Sequence, residues 1–126
     1  MKSFLTILSL AFLTIAARAQ FIGAQSFIYG EHRGSWSEGG SNGLAVVTFW
    51  NGGTVCVERY VSTNALPQDR LEKSCGPYTE KNGQRTVTFQ TERRSYSGTA
   101  RVGVVRLAYK NFLSGSTGTV TCDPLP

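Results

Sequence analysis

The sequence predicts an all-β domain, a single small antiparallel β-barrel or sandwich with little or no helix, and three observations carry that reading. Short runs rich in Val, Thr, Phe, Tyr and Trp recur along the chain, Gly-containing pairs punctuate them, and no window repeats apolar residues at i, i+3, i+4 and i+7 free of β-branching and glycine. The composition agrees. With 40% hydrophobic, 11% aromatic and 17% charged residues, the 126-residue chain is too apolar and too aromatic for disorder. Its length holds one small domain and excludes a two-domain enzyme.

Residues 1–19 read as a secretory leader: Met1-Lys2-Ser3, an apolar run from Phe4 to Ala16, then Ala17-Arg18-Ala19 ahead of Gln20. A basic start, an apolar stretch too brief for a bilayer and a small-x-small site are the three marks of a signal peptide cut after Ala19. Residues 20–126 are then one secreted, extracellular domain, and no second run of membrane length follows. Lys2 and Arg18 leave with the leader, and of the other basic residues only Arg93 and Arg94 are adjacent. The pI of 9.4 therefore reflects ordinary surface charge, and nucleic acid is not an expected partner.

Phe27 to Gly30 reads as an early strand, and the Gly- and Ser-rich continuation to Gly43 as a loop. Leu44 to Trp50 and Thr54 to Val61 form a hairpin around Asn51-Gly52-Gly53, whose residues tolerate positive φ. Leu71 to Ser74 is a further apolar segment ending at Cys75-Gly76-Pro77. After an Asn82-Gly83 turn, Arg85 to Thr91 alternates, Val87 and Phe89 on one face and Thr86, Thr88 and Gln90 on the other. Ala100 to Tyr109 reads as one long strand entered through Ser97-Gly98, and Thr119 to Cys122 as a short last strand after a Gly/Ser/Thr loop. The core expected from these faces comprises Val46, Phe49, Val55, Val57, Val87, Phe89, Val104 and Leu107.

Three cysteines cannot all pair within one chain. A hairpin-like return joining Cys56 to Cys75 is the least costly closure and contributes about 3 kcal/mol in the chain-entropy picture. Three fates are open to Cys122: burial as a small hydrophobe, pairing between chains, or capping.

Catalytic chemistry finds few candidates. A secreted ribonuclease would need a carboxylate base, a histidine acid and an arginine to stabilise phosphate charge, for which His32, Glu58 and Arg59 are the available residues. Such a trio arises by chance in most chains of this length, and the expectation is a non-enzymatic protein without cofactor. One His among scattered acids offers no metal-ligand spacing, and Gly39, Gly40 and Gly43 are not followed by the Lys-Ser/Thr of a phosphate loop. Tyr29, His32, Arg33 and Trp36, set among Gly and Ser, have a composition suited to recognition of a protein or of a small phenolic ligand at a barrel mouth. The competing placement has Tyr29 and Trp36 plugging a barrel end.

In order along the chain, Phe27-Ile28-Tyr29-Gly30-Glu31-His32-Arg33-Gly34, Asn51-Gly52-Gly53-Thr54 leading to Cys56, Leu71-Glu72-Lys73-Ser74-Cys75-Gly76, and a strand closing on Tyr109 with a Gly/Ser run to Cys122 resemble the Alternaria alternata major allergen family. These are small secreted fungal proteins that include elicitors of plant defence. The resemblance implies a β-barrel, a Cys56–Cys75 bridge, and a secreted effector or elicitor that binds a host extracellular, defence-related protein. It also implies a second bridge to Cys122 from the position after Tyr109, but Lys110 stands there. No Cys lies between Gln20 and Val55 to link two subunits as in the family. The expectation is a one-disulfide monomer or weak homodimer, with Cys122 an orphan thiol or the link of a covalent dimer.

Overall fold

Side chains alternate inward and outward along eight strands that close on themselves, each antiparallel to its two neighbours in chain order. The computed structural model describes residues 28–61 and 66–124. The leader read in residues 1–19 and Phe27 lie outside the described residues. The strands are β1 (Ile28–Glu38), β2 (Ser41–Trp50), β3 (Thr54–Tyr60), β4 (Arg70–Lys81), β5 (Gln84–Gln90), β6 (Arg94–Arg101), β7 (Val104–Asn111) and β8 (Thr117–Cys122), with one 3₁₀ turn at Pro67–Asp69. No helix among the described residues is long and apolar enough to cross a membrane.

The fold class is the expected one, and the hairpins at Asn51-Gly52-Gly53 and Asn82-Gly83 stand where the turn signals put them. Two expectations are corrected. The Gly/Ser-rich stretch to Gly43 is not a loop: β1 runs through it to Glu38, and β2 begins at Ser41 after a Gly39-Gly40 turn. Its small residues answer close packing, since a Cβ at Gly34 would stand 2.0 Å from the Thr121 carbonyl oxygen across the β1–β8 seam. Likewise, residues 100–109 are not one strand. Val102 and Gly103, at φ 48° and 82°, turn the chain between β6 and β7, while Ser97-Gly98 lies within β6.

The apolar interior is built from Trp36 of β1, Ala45, Val47 and Phe49 of β2, Val55 and Val57 of β3, Val87 and Phe89 of β5, Tyr96 and Ala100 of β6, Val105, Leu107 and Tyr109 of β7, and Val120 and Cys122 of β8, with the half-buried Tyr78 of β4 packed against it. Val104 is only half-buried and Val105 takes its place, because the unforeseen turn resets the alternation. Val46 is buried, yet on the outer wall in register with Arg33 and Glu58. Large and small residues face one another across the seams: Trp36 opposes Gly43, Leu107 opposes Gly98 and Tyr109 opposes Gly118. A Cβ at Gly118 would enter the Tyr109 ring at 2.3 Å, so the glycine provides the room that the aromatic fills.

Cys56 and Cys75 are register partners on the outer wall and form the single disulfide, Cα to Cα 4.0 Å. Cys122 faces inward, 1% exposed, opposite Val105 and Gly34. Of its three fates it takes the first. Burial pushes its thiol up to about 11, and a partner's thiol cannot reach it in the folded barrel. Lys110 pairs instead with Thr117, five residues along β8 and on the opposite face. The alignment that places a missing partner of Cys122 at position 110 does not hold in this barrel.

Candidate binding site at the open end of the barrel

The barrel has two ends. One gathers the turns at residues 51–53, 82–83 and 102–103, and the other those at 39–40, 91–93 and 112–116 together with residue 61 and residues 66–69. Inward alternation along β1 puts His32 near the first and Glu38 at the second, with Gly34 and Trp36 between.

At the His32 end, the imidazole meets the Phe49 ring edge-on at 5.8 Å, and the Phe49 ring meets Tyr78 at 4.9 Å. The Arg85 guanidinium lies over Phe49 at 4.7 Å, with its Nε 3.7 Å from Glu80. A Cβ on Gly30 would come within 3.0 Å of Arg85 and 3.5 Å of His32 Nε2, so the bare backbone there admits both side chains. His32 Nε2 is buried and has no hydrogen-bond partner among the described residues. Burial lowers the His32 pKa and the Arg85 charge lowers it further against an opposing pull from Glu31, so the ring is neutral at pH 7. Beside it a cavity of about 170 Å³ is walled by His32, Arg85, Ala100, Arg101 and the turns at Gly83 and Val102-Gly103. A second, of about 390 Å³, shares His32 and adds Glu31, Arg33, Asp123 and Pro124.

The Glu38 end is sealed. Arg59 and Arg94, both inward, share the Glu72 carboxylate, and Arg94 also lies 3.8 Å from Glu38. Glu38 accepts hydrogen bonds from Ser116 Oγ (2.6 Å), Tyr109 Oη (3.0 Å) and Asn111 Nδ2 (3.1 Å). Arg59 covers the Trp36 ring at 4.8 Å, and Trp36 Nε1 donates to the Tyr60 carbonyl at 2.9 Å. Phe89, Tyr96 and Tyr109 continue the stack, with centroids 5.3 and 5.2 Å apart.

The structure thus separates the residues singled out in the sequence. His32 and Arg33 border the open end. Trp36, 5% exposed, belongs to the sealed end as a plug and offers no contact surface. Tyr29 lies in β1, and its side chain is outside the described residues. His32, Glu58 and Arg59 do not converge: Glu58 is on the outer wall bonded to Arg70 at 2.9 Å, and Arg59 is paired inside the far end. Among the described residues no group of three or more His, Cys, Asp or Glu is placed to hold a metal ion. Sequence reasoning missed Arg85 and Arg101 at the open end and Arg94 and Glu72 at the sealed one. For Arg85 a signal existed, since it stands two residues before Val87 and four before Phe89 on the same inward face.

Compared with known proteins, the chain matches no family model, no curated protein and no solved structure.

Proposed function

We propose that this is a secreted, non-enzymatic protein of the effector or elicitor kind that binds a host plant's extracellular, defence-related protein. The distribution of exposed apolar side chains carries the reading. Of six large hydrophobic residues exposed among the described ones, Val61, Leu66, Leu71, Phe112 and Leu113 stand at the sealed end and only Val102 at the other. Scattered exposed apolar residues are ordinary, but a concentration around one rim marks an interaction surface. The β3–β4 connection with the start of β4 and the β7–β8 connection, which carry them, are four strands apart in the eight-stranded closed order, so they stand on opposite sides of that end.

The rim is also held rigid. Asn111 Oδ1 accepts from the Leu113 amide at 2.9 Å, and the Phe112 amide donates to the Arg93 carbonyl at 2.8 Å. Ser116 is tied to Glu38 beneath. Apolar anchors on a fixed frame lose little freedom on binding. The leader read in residues 1–19 supports secretion, the dispersal of His32, Glu58 and Arg59 supports a non-catalytic role, and the aromatic filling of the barrel turns recognition outward.

The test is capture of partners from apoplastic fluid by the secreted protein, followed by calorimetry on the partner identified. The double variant Phe112→Ser, Leu113→Ser should bind at least about tenfold more weakly, as loss of central apolar anchors does. Equal affinity of parent and double variant, or capture of no extracellular protein, overturns the proposal.

A further inference from the structure

We propose that the cavity between His32, Arg85, Arg101 and the Val102-Gly103 turn binds a small organic monocarboxylate with an apolar body. The charge of its walls argues first. Among the described residues, His32, Arg85 and Arg101 are the ionisable ones lining the cavity, and no carboxylate side chain lines it. Arg101 uses Nη1 on the Asn82 carbonyl at 3.1 Å, which leaves most of its five donors for another acceptor. His32 Nε2, buried and without a partner among the described residues, is the kind of polar atom that a structure satisfies with a ligand or water. With its proton on Nε2, the imidazole donates to a carboxylate oxygen while the guanidinium groups hold the charge.

The turn supplies the second, independent observation. Two neighbouring hairpin turns at this end place both their residues at positive φ: Asn82-Gly83 (52° and 80°) and Val102-Gly103 (48° and 82°). Asn-Gly suits that geometry, whereas a β-branched residue is strained in it. Val102 is also 82% exposed. A strained residue at a cavity rim points to use of its side chain, and here the isopropyl group, with Ala100, gives the walls an apolar side. Occupancy by an apolar body would remove Val102 from water.

Size and the neighbouring cavity narrow the ligand. A volume of about 170 Å³ is that of about five to six waters at ~30 Å³ each, room for a carboxylate and a single ring. The adjoining cavity carries Glu31 and Asp123, which would repel a second anionic group on the ligand. This site is separate from the apolar rim at the other end, and either can fail alone.

Titration of the isotope-labelled protein with benzoate, followed through the His32 ring signals, tests it. Benzoate should give a saturable one-to-one shift, and its neutral isostere benzamide none. Arg101→Gln, an exposed change, should weaken benzoate about tenfold, the equivalent of one charge-assisted hydrogen bond. Val102→Asn should weaken it by a smaller factor while leaving the charge in place. No saturable shift with benzoate, an equal response to benzamide, tighter binding of inorganic phosphate than of benzoate, or unchanged affinity in Arg101→Gln would each overturn the proposal.

Discussion

The two ends of this barrel face the same physical problem and meet it in opposite ways. Both place arginines on the inward face of the wall, where the apolar middle gives out. At the Glu38 end the counter-charges are inward as well: two arginines meet two glutamates, and tyrosine, asparagine and serine occupy the Glu38 oxygens. At the His32 end Arg85 lies 3.7 Å from Glu80, and the described residues that line the cavity beside it are positive or neutral. At the first end the ion pairs and hydrogen bonds converge on two shared carboxylates and close over Trp36; at the second no such network forms among the described residues around the His32 Nε2. Sealing a barrel is thus a matter of inward polar groups converging on shared carboxylates as much as of side-chain bulk.

The largest expected effect breaks the sealed end. Glu72 serves Arg59 and Arg94 together, and their side chains are 7% and 9% exposed. Glu72→Ala takes from Arg59 its carboxylate partner and leaves Arg94 with Glu38 at 3.8 Å, and should cost about 3–5 kcal/mol, the range for stripping a partner from a buried ion pair. Arg101→Gln at the open end, where the side chain reaches only an exposed turn carbonyl, should stay within about 0.5 kcal/mol of the parent. Urea midpoints of the two variants measure the contrast, and equal losses would mean that the two ends are equally built.

A smaller effect separates the ends by pH. Burial works against the Glu38 charge, but hydrogen bonds from Ser116, Asn111 and Tyr109 and the nearby Arg94 outweigh it and hold its pKa below the ordinary 4.5. A carboxylate depressed on folding contributes stability above that ordinary value and loses it as pH falls through the folded one. His32 is also lowered, from an ordinary 6.5, by burial first and Arg85 second. On acidification its unfolded form takes up the proton first, so stability starts to fall near pH 6.5 and continues down to the folded value. Unfolding midpoints followed from neutral pH downward should therefore decline in two windows. His32→Gln should flatten the upper one and Glu38→Gln the lower, and an upper window unaffected by His32→Gln would show the imidazole to be freely hydrated.

How far the sequence carries depends on which backbone events have a residue signature. Asn51-Gly52-Gly53 and Asn82-Gly83 announce their turns because Asn and Gly accept positive φ. Val102-Gly103 makes the same kind of turn with a residue that disfavours it, so nothing in the letters marks it, and the inward face of β7 is displaced by one from Val104 to Val105. The polarity of β1 hides a strand for a different reason. Its inward residues reach from one barrel end to the other, and Gly34 is small because β8 crosses it closely. The outer-wall disulfide was legible because Cys56 and Cys75 belong to consecutive strands. The sealing network was not, because it is assembled from β1, β3, β4, β6 and β7 and appears only when the sheet closes.

The smallest expected effect is none at all, and it joins the two ends. If position 110 held the missing mate of Cys122, then Lys110→Cys would oxidise spontaneously in the folded protein and tie β7 to β8. In this barrel Lys110 faces Thr117 near the Glu38 end, while Cys122 faces Val105 toward the His32 end. Five residues of strand at about 3.3 Å each separate the two positions by about 17 Å, far beyond the ~7 Å that a disulfide spans between Cα atoms. The faces differ too, since Lys110 is exposed and Cys122 is 1% exposed. Lys110→Cys should keep the parent's unfolding midpoint and show one reactive thiol while folded and two once unfolded. A new bridge to Cys122 would instead require β8 to slide five residues along β7, which would pull Ser116 from Glu38 and unseal the closed end.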